Sequence, residues 1–346
     1  MKHNSVFCLL LTFCLLLPLA ACGENEVHER QLFSMDTVMA LAAYGKNGEA
    51  GLDAAIGVIN SLDAMLDPEL STSETYKLNH ADGESLPVSG QLSEMLRTAY
   101  DVYEQTGGAL DLTIYPLVKA WGFVDANYRV PTDEEIESLL EQTGFSKLTM
   151  TALSGGETYL VTMPAGMELS FASVAKGCAS KYAISALRSA GVDSAILSLG
   201  GNVQTLGVKP DGSNWNIAIQ DPLNTESYAG VLSLGECAAV TAGGYQRYFY
   251  GEDNVRYTHI IDPSTGRPAE TNLLSATVVA EDAVLADALS TALCVLGEDG
   301  AVEYYLANGG FDMVLITDDN RVLITSGLID AFELSNTGYT VEMIRG

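Results

Sequence analysis

Positive charge is scarce in this chain of 346 residues: 17 lysines and arginines face 45 aspartates and glutamates, which gives a formal net charge of −28 at pH 7. Nucleic acids and anionic lipid surfaces attract basic proteins, so this balance disfavours both as general partners. A small molecule that carries phosphate is still compatible with it, because a bound cation and backbone amides can neutralise a phosphate locally.

Cysteine is also sparse, and its placement favours free thiols over a disulfide framework or a zinc site. Three of the six cysteines fall in the first 22 residues, which leaves Cys178, Cys237 and Cys294. None of these has the paired spacing of metal ligands, and each lies in an apolar or helical context. We expect buried free thiols, and the odd number leaves at least one cysteine unpaired within the chain.

A long apolar run occurs at the N terminus, and no second run of spanning length follows it. Residues 1–21 carry an early lysine, an apolar core from Val6 to Leu17 and Leu-Ala-Ala before Cys22, a pattern typical of a secretory signal. The ending resembles a bacterial lipobox, which predicts that Cys22 is lipidated. We therefore expect a lipid anchor on the extracytoplasmic face of the cell membrane, without a transmembrane span.

After a polar tether at residues 22–30, we predict one α+β domain over residues 31–346, since no repeat, low-complexity tract or linker interrupts it. Helical spacing predicts helices at 51–65, 92–105, 131–142, 281–296 and 299–307, and one that is entered at 169–177 and reaches about residue 190. Strand-like runs cover 31–44, 147–151, 159–162, 194–199, 203–207, 215–219, 231–234, 238–241, 313–317 and 322–326.

The stretch Tyr257–Pro268 joins a strand-like entry to an Asp-Pro turn and holds His259 and Asp262 at the mouth of that turn. The helix that follows places Asp287 and Thr291 four residues apart, and therefore on one face. Oxygen ligands on one face suit a hard cation such as Mg²⁺, which takes further ligands from water and phosphate. An imidazole that can act as a base and a site for a cation are the groups that phosphoryl transfer requires.

A run of small residues at 169–177 leads into a helix and exposes backbone amides at its start, where Lys176 adds a positive charge. This arrangement is a candidate phosphate cradle, although it is no Walker motif. Each signal has an ordinary alternative when taken singly. His259 has the alternative role of a hydrogen-bonded turn residue, and the segment around Trp121 that of an aromatic core.

Eight short blocks follow one another along the chain: Met35–Thr37, Leu110–Thr113 with Pro116–Val118 and Trp121–Phe123, Val174–Gly177, Leu199–Asn202, Ile219–Pro222, Thr241–Tyr245 with Arg247, His259–Pro268 and Ala286–Leu293. In this order they resemble the ApbE family, the FAD:protein FMN transferases. A single block is weak support, but eight in sequence are specific. The resemblance implies a mostly antiparallel sheet with flanking helices.

The resemblance also implies an Mg²⁺-dependent enzyme that moves the FMN half of FAD onto a Thr or Ser hydroxyl of a target protein and releases AMP. A membrane-attached or exported redox subunit is the expected acceptor. The carbonyl oxygen of Ser173 would bind the metal together with Asp287 and Thr291, and His259, with a reference pKa near 6.5, would be the base. The residues implied at the FAD site are Met35, Ala109, Leu110, Asp111, Ser170, Lys176 and His259.

Several positions depart from the family pattern. Asp36 stands where family members usually carry glycine, Ser170 where they carry aspartate, and Ala242 where they carry serine, and no flavin-stacking aromatic is evident at residues 66–72. We expect activity to survive these changes. Two alternatives stay open: a metal-dependent FAD pyrophosphatase, in which water is the acceptor, and a non-catalytic flavin-binding lipoprotein.

Overall fold

The structure is a computed structural model that describes residues 26–153, 155–156 and 158–345. The predicted signal, Cys22 and residues 22–25 of the predicted tether lie outside the described residues. The first strand begins at Val27, so residues 27–30 belong to the sheet and their assignment to the tether was wrong. Within the described part, no helix is both long and apolar enough to cross a membrane.

The described residues form seven α-helices and nineteen strands. The helices are α1 (Gly48–Leu66), α2 (Glu74–Asn79), α3 (Gly90–Gln105), α4 (Tyr115–Ala120), α5 (Asp133–Leu140), α6 (Ala175–Ser189) and α7 (Ala283–Asn308). The strands are β1 (Val27–Ser34), β2 (Thr37–Tyr44), β3 (Ser85–Pro87), β4 (Thr149–Ala152), β5 (Tyr159–Thr162), β6 (Ala195–Leu199), β7 (Asn202–Leu206), β8 (Trp215–Gln220), β9 (Tyr228–Leu234), β10 (Ala238–Gly243), β11 (Tyr248–Tyr250), β12 (Arg256–Thr258), β13 (Ile261–Asp262), β14 (Arg267–Pro268), β15 (Leu273–Ala280), β16 (Asp312–Thr317), β17 (Arg321–Thr325), β18 (Phe332–Leu334) and β19 (Thr340–Ile344).

A nine-stranded sheet in the order β1-β2-β6-β7-β10-β15-β16-β17-β19 divides the interior into two cores. Its neighbouring strands are antiparallel except for β17 and β19. Helices α1, α3, α6 and α7 cover one face and bury the larger core. The small sheet β18-β9-β8 covers part of the other face. The predicted α+β fold with a mostly antiparallel sheet and flanking helices is therefore confirmed.

The predicted helices at 51–65 and 92–105 are confirmed as α1 and α3. Both carry apolar side chains at intervals of three and four residues, which places them on the face that packs on the core. Ser89 caps α3 by accepting a hydrogen bond from the N–H of Leu92 at 3.3 Å. The buried side chains are Leu52, Ala55, Ile59, Leu62 and Leu66 in α1, and Leu92, Met95, Leu96, Ala99 and Val102 in α3.

The single strand predicted at 31–44 is wrong, because two strands occupy this stretch. Met35 and Asp36 form a two-residue turn between β1 and β2, with φ angles of 49° and 56°. Left-handed conformations at both positions match a type I′ hairpin turn. The carboxylate of Asp63 in α1 holds the turn by accepting from the Ser34 hydroxyl at 2.9 Å and the Met35 N–H at 3.1 Å.

The backbone of Asp36 has a φ of 56°, a left-handed conformation that glycine adopts more readily than aspartate. Asp36→Gly is expected to raise the free energy of unfolding by about 0.5–1 kcal/mol, because glycine adopts a positive φ without strain. Urea unfolding of the two proteins measures this difference. A less stable variant would mean that the Asp36 side chain contributes more than its backbone conformation costs.

A separate aromatic core ties the segment around Trp121 to the Asp-Pro turn. Trp121 is fully buried, and its Nε1 donates a hydrogen bond to the carbonyl of Gly266 at 2.9 Å. Phe249 and Tyr257, on one face of the β11–β12 hairpin, pack against the same indole. The interpretation of this segment as an aromatic core is confirmed, and the core forms one wall beside His259.

The described cysteines are free thiols, as the sequence predicted. Cys178 and Cys294 are buried as predicted, whereas Cys237 is only half-buried, so the prediction of burial was wrong for that residue. Burial raises the pKa of Cys178 and Cys294 to about 12 and that of Cys237 to about 11. The three thiols are therefore protonated at neutral pH.

Candidate functional site

The start of α7 is fixed by its capping residue. Asp282 accepts hydrogen bonds from the N–H groups of Val284 at 2.8 Å and Leu285 at 3.2 Å. Lys181 of α6 also contacts Asp282 at 2.7 Å and reaches Glu94 of α3 at 2.5 Å. These contacts join three helices, and they fix the start of α7, the helix that carries Asp287 and Thr291.

Asp287 is buried where α7 crosses the first turn of α6. Its Oδ2 accepts a hydrogen bond from the N–H of Gly177 at 2.8 Å, which satisfies one of the free amides at a helix start. A Cβ at position 177 would lie 2.2 Å from the carbonyl oxygen of Ala283, so only glycine allows this close approach. One carboxylate oxygen is thus anchored to α6, and Oδ1 is left for another partner.

The pKa of Asp287 is subject to opposing effects. Burial raises its pKa, while Lys176, the N–H of Gly177 and the nearby amide of Asn202 oppose this shift. Within the described residues Lys176 forms no ion pair with a carboxylate. Its positive charge therefore acts on Asp287 without being neutralised in a salt bridge.

His259 follows β12 directly and is oriented by the backbone of Arg247. Its N–H donates to the Arg247 carbonyl at 3.1 Å, and its ring Nδ1 lies 3.1 Å from the same oxygen. A carbonyl can only accept, so Nδ1 carries the proton in the neutral ring and Nε2 keeps a lone pair. Nε2 has no protein partner in the described part of the chain, which makes it the basic atom of the site.

Burial is the main cause that lowers the pKa of His259, from 6.5 to about 4, and the charges of Arg247 and Lys176 add to it. The residue still keeps partial solvent exposure. The imidazole is therefore a neutral base at pH 7, with a lower pKa than the sequence alone predicted. Lys176 acts on both His259 and Asp287, so the three groups share one site.

This low pKa predicts a measurable titration. The His259 ring is expected to stay neutral down to about pH 4 in NMR spectra recorded against pH. The unfolded chain takes up that proton near pH 6.5, so the contribution of His259 to stability is lost as pH falls from about 6.5 to 4. The spectrum of His259→Gln assigns the signal, and a midpoint near 6.5 would contradict the burial of the ring.

The loop before α6 carries Ser170 and Ser173, and Lys176 lies in the first turn of the helix that follows. The N–H of Ser170 donates to the carbonyl of Leu112 at 3.0 Å, and its Oγ accepts from the N–H of Ala172 at 3.3 Å. Ser173 lies in the turn that leads into Ala175, the first residue of α6. The hydroxyl oxygen of Ser170, which was expected to contact FAD, thus stabilises the conformation of this loop.

Asp111 has a structural role that its sequence context did not reveal. Its Oδ1 accepts from the N–H and hydroxyl of Thr113 at 2.7 and 2.6 Å, and its Oδ2 accepts from the N–H of Phe145 at 3.0 Å. Burial raises its pKa, and these hydrogen bonds oppose the rise. Both oxygens are engaged, so Asp111 shapes the wall of the site without offering a free carboxylate.

The other residues predicted at the FAD site differ in accessibility. Ala109 and Leu110 are buried in the helix-side core, with 8% and 2% of their surface exposed. Their side chains pack in the core, so only their backbone atoms are available to a ligand. Met35 is half-buried at the β1–β2 turn, where it remains accessible to a ligand.

Sequence reasoning assigned no role to Asn202, although the block Leu199–Asn202 contained it. Only 1% of its surface is exposed, and neither polar atom of its side chain has a hydrogen-bond partner. The sequence did contain one signal for a role of Asn202, namely a polar residue directly after the two glycines at 200 and 201. Its amide lies close enough to Asp287 to favour the charged carboxylate, yet it makes no hydrogen bond of normal geometry.

The predicted metal ligands form an oxygen-only set with one carboxylate. Among the described residues, no group of three or more His, Cys, Asp and Glu side chains is placed to hold a metal. This excludes a site of that kind there and is compatible with Asp287, a hydroxyl and a carbonyl as ligands. A groove of about 720 Å³ between α7 and β19 is lined by none of the predicted site residues.

The loop at residues 67–72 carries no aromatic side chain. Leu70 is 39% exposed, and the carboxylate of Glu69 accepts a hydrogen bond from the hydroxyl of Tyr115 at 2.8 Å. This loop therefore offers the exposed aliphatic side chain of Leu70, and no aromatic ring, for contact with a flavin.

The sequence pattern that describes the ApbE family matches residues 35–315 of this chain. The chain belongs to the ApbE family. An FAD:protein FMN transferase from Treponema pallidum (strain Nichols) is 30% identical over 348 residues, which cover 95% of this chain and 96% of the relative. Another from Vibrio cholerae serotype O1 is 32% identical over 321 residues, covering 90% and 94% of the two chains.

Solved ApbE structures have the same fold. The ApbE protein from Thermotoga maritima superposes with a TM-score of 0.77 at 29% identity, covering 90% of this chain and 98% of that one. The flavin transferase ApbE from Vibrio cholerae gives a TM-score of 0.75 at 27% identity, covering 91% and 98%. The predicted family and fold class are thus confirmed.

Proposed function

We propose that this ApbE protein transfers the FMN half of FAD to a threonine or serine hydroxyl of an acceptor protein and releases AMP. The observation that carries the proposal is His259, whose neutral Nε2 shares a site with Lys176 and Asp287. A base, a phosphate-attracting cation and an anchored carboxylate suit transfer from a pyrophosphate. The relatives named FAD:protein FMN transferase support the same reaction.

In this reaction, His259 Nε2 accepts the proton of the acceptor hydroxyl while that oxygen bonds to the phosphorus of the FMN half. The bond from this phosphorus to the bridging oxygen breaks, and the oxygen leaves with AMP. Lys176 supplies a positive charge to the phosphate oxygens. The proton then passes from the partly exposed ring to solvent, which restores the base.

The donor atoms at the junction of α6 and α7 fit Mg²⁺, which prefers oxygen ligands. Asp287 would hold it through Oδ1, Thr291 through its hydroxyl and Ser173 through its carbonyl. When bound, Mg²⁺ neutralises negative charge on the pyrophosphate. The buried, unpartnered amide of Asn202 beside this carboxylate supports a ligand at the same place.

The partial exposure of His259 favours one second candidate, a metal-dependent FAD pyrophosphatase in which water takes the place of the acceptor hydroxyl. Co-expression with membrane-attached or exported redox subunits, followed by mass spectrometry, separates the two. We expect one FMN on one hydroxyl residue, AMP in equal amount, and neither product with His259→Gln. Free FMN beside an unmodified acceptor would favour the pyrophosphatase, and bound FAD without turnover a non-catalytic flavin-binding protein.

We further propose that a lipid on Cys22 attaches the protein to the extracytoplasmic face of the membrane. Cys22 stands five residues before Val27, the first residue of β1. A fully extended chain of that length spans roughly 17 Å, so a lipid on Cys22 would hold the start of β1 close to the membrane surface. A membrane-attached redox subunit is the acceptor that this position favours.

Fractionation of cells tests the anchor. Cys22→Ser is expected to move the protein from the membrane fraction to the soluble fraction, while the control Cys237→Ser stays in the membrane fraction. Membrane association of Cys22→Ser equal to that of the unaltered protein would refute lipid attachment at this residue.

A further inference from the structure

Asn202 is buried in a way that its own fold does not explain. It is 1% exposed, and within the described chain its Oδ1 accepts no hydrogen bond and its Nδ2 donates none. A buried amide with neither atom paired destabilises a protein, because it loses its hydrogen bonds to water without replacement. Such a group needs a physical explanation, and in Asn202 two polar atoms of one side chain need it together.

The backbone brings Asn202 to the site. Gly200 and Gly201, with φ angles of 59° and 99°, turn the chain from β6 into β7, and Asn202 is the first residue of β7. It pairs with Val240 of β10, whose side chain lies in the core under the helices. Asn202 therefore lies on the helix-covered face of the sheet, next to the carboxylate of Asp287.

If Asn202 had a purely structural role, its side chain should form hydrogen bonds within the protein, and it forms none in the described residues. An asparagine that stabilises a turn donates to a backbone carbonyl or accepts from a backbone N–H. Asn202 does neither, although Gly177 donates to the neighbouring Asp287 at 2.8 Å. Oδ2 of the carboxylate is thus held by Gly177, and the unpartnered amide of Asn202 lies near the same carboxylate.

We propose that Asn202 is a positioning residue of the cation site: its Nδ2 donates to the Asp287 carboxylate, and its Oδ1 accepts from a water molecule carried by the bound cation. The inference rests on the proposed function through the cation alone. Mg²⁺ usually keeps several waters, and groups that hold its ligands and waters contribute to its affinity. Both orphaned atoms of Asn202 would then be paired in the loaded protein.

The chain offers a matched control in Ser275. Its hydroxyl is also 1% exposed and unpartnered, but it lies in β15, separated from β7 by β10. Ser275→Ala removes a buried orphan group outside the proposed site. A general effect of removing such a group should appear in both variants, and an effect on the cation only in Asn202→Ala.

Two measurements test the proposal: thermal unfolding without FAD or metal, and Mg²⁺ binding by calorimetry with FAD in a His259→Gln background that blocks turnover. Asn202→Ala is expected to keep the Tm of the free protein or raise it by about 1–3 °C, since an unpaired group is removed. Its Kd for Mg²⁺ is expected to rise about 10–100-fold. Ser275→Ala should keep the Kd within about twofold.

An unchanged Kd in Asn202→Ala would overturn the proposal. If that variant fails to fold, Asn202→Asp tests the same position, because a second carboxylate beside Asp287 repels it until a cation binds. Mg²⁺ should then raise the Tm of Asn202→Asp by more than that of the unaltered protein, and an equal or smaller rise would refute the role. If the parent protein binds no Mg²⁺, the proposed metal-dependent function fails together with this proposal. If the parent and the Asn202→Ala variant bind Mg²⁺ equally, only the positioning role of Asn202 is refuted.

Discussion

We expect Asp287→Ala to abolish FAD turnover in Mg²⁺. The substitution removes the carboxylate of the predicted oxygen set, and the charge of the pyrophosphate would then be left without its counter-ion. It also leaves the N–H of Gly177, now bonded at 2.8 Å, without a partner at the start of α6. Product formation over a range of Mg²⁺ concentrations measures the loss, and full activity in Mg²⁺ would refute the assigned metal site.

Asp282→Ala is the matched control for this loss. Asp282 lies on the same helix as its capping residue, and it contacts Lys181 rather than the predicted ligands. Removing the cap is expected to cost about 1 kcal/mol of stability, with dependence on Mg²⁺ retained. Loss of activity in both variants in step with lost stability would assign the effect of Asp287 to folding.

We expect His259→Ala to lower kcat by roughly two to four orders of magnitude, because loss of a general base removes that much catalysis. Nε2 is the atom that receives the proton, and Nδ1 is occupied by the Arg247 carbonyl at 3.1 Å. Steady-state rates against FAD and acceptor concentration separate kcat from KM. His80→Ala is a suitable control, since His80 stacks on Tyr76 in another part of the chain.

A rise in the KM for FAD with kcat unchanged would make His259 a binding residue instead of the base. Slow turnover that hydroxide restores at high pH is the pattern expected when a base is missing. The measured difference between kcat and KM therefore distinguishes the two roles of the ring.

The sequence predicted helices better than strand pairing. Helices α1 and α3 bury one side, so their apolar spacing identified them. The β1–β2 hairpin was missed because its turn is Met35–Asp36, without the glycine that usually marks such turns. Strand β19 was not predicted, since four of its five residues are exposed and its position depends on parallel pairing with β17, which no local pattern shows.

The site was predicted as a set of residues, but their individual roles depend on neighbours distant in sequence. The carboxylate of Asp111 is engaged by Phe145, 34 residues later, and no local pattern contains that contact. The low pKa of His259 arises from its burial and from the charges of Arg247 and Lys176. Spacing along the chain cannot give the degree of burial, so the sequence alone assigned His259 its ordinary pKa.

The buried cysteines bear on how the protein withstands oxidants. A thiol reacts with peroxide or a disulfide as its thiolate, and a pKa of about 12 for Cys178 and Cys294 leaves about one thiolate in ten thousand at pH 8. The buried thiols are therefore expected to react slowly with oxidants. Reductant added during purification should leave the melting temperature of the protein unchanged.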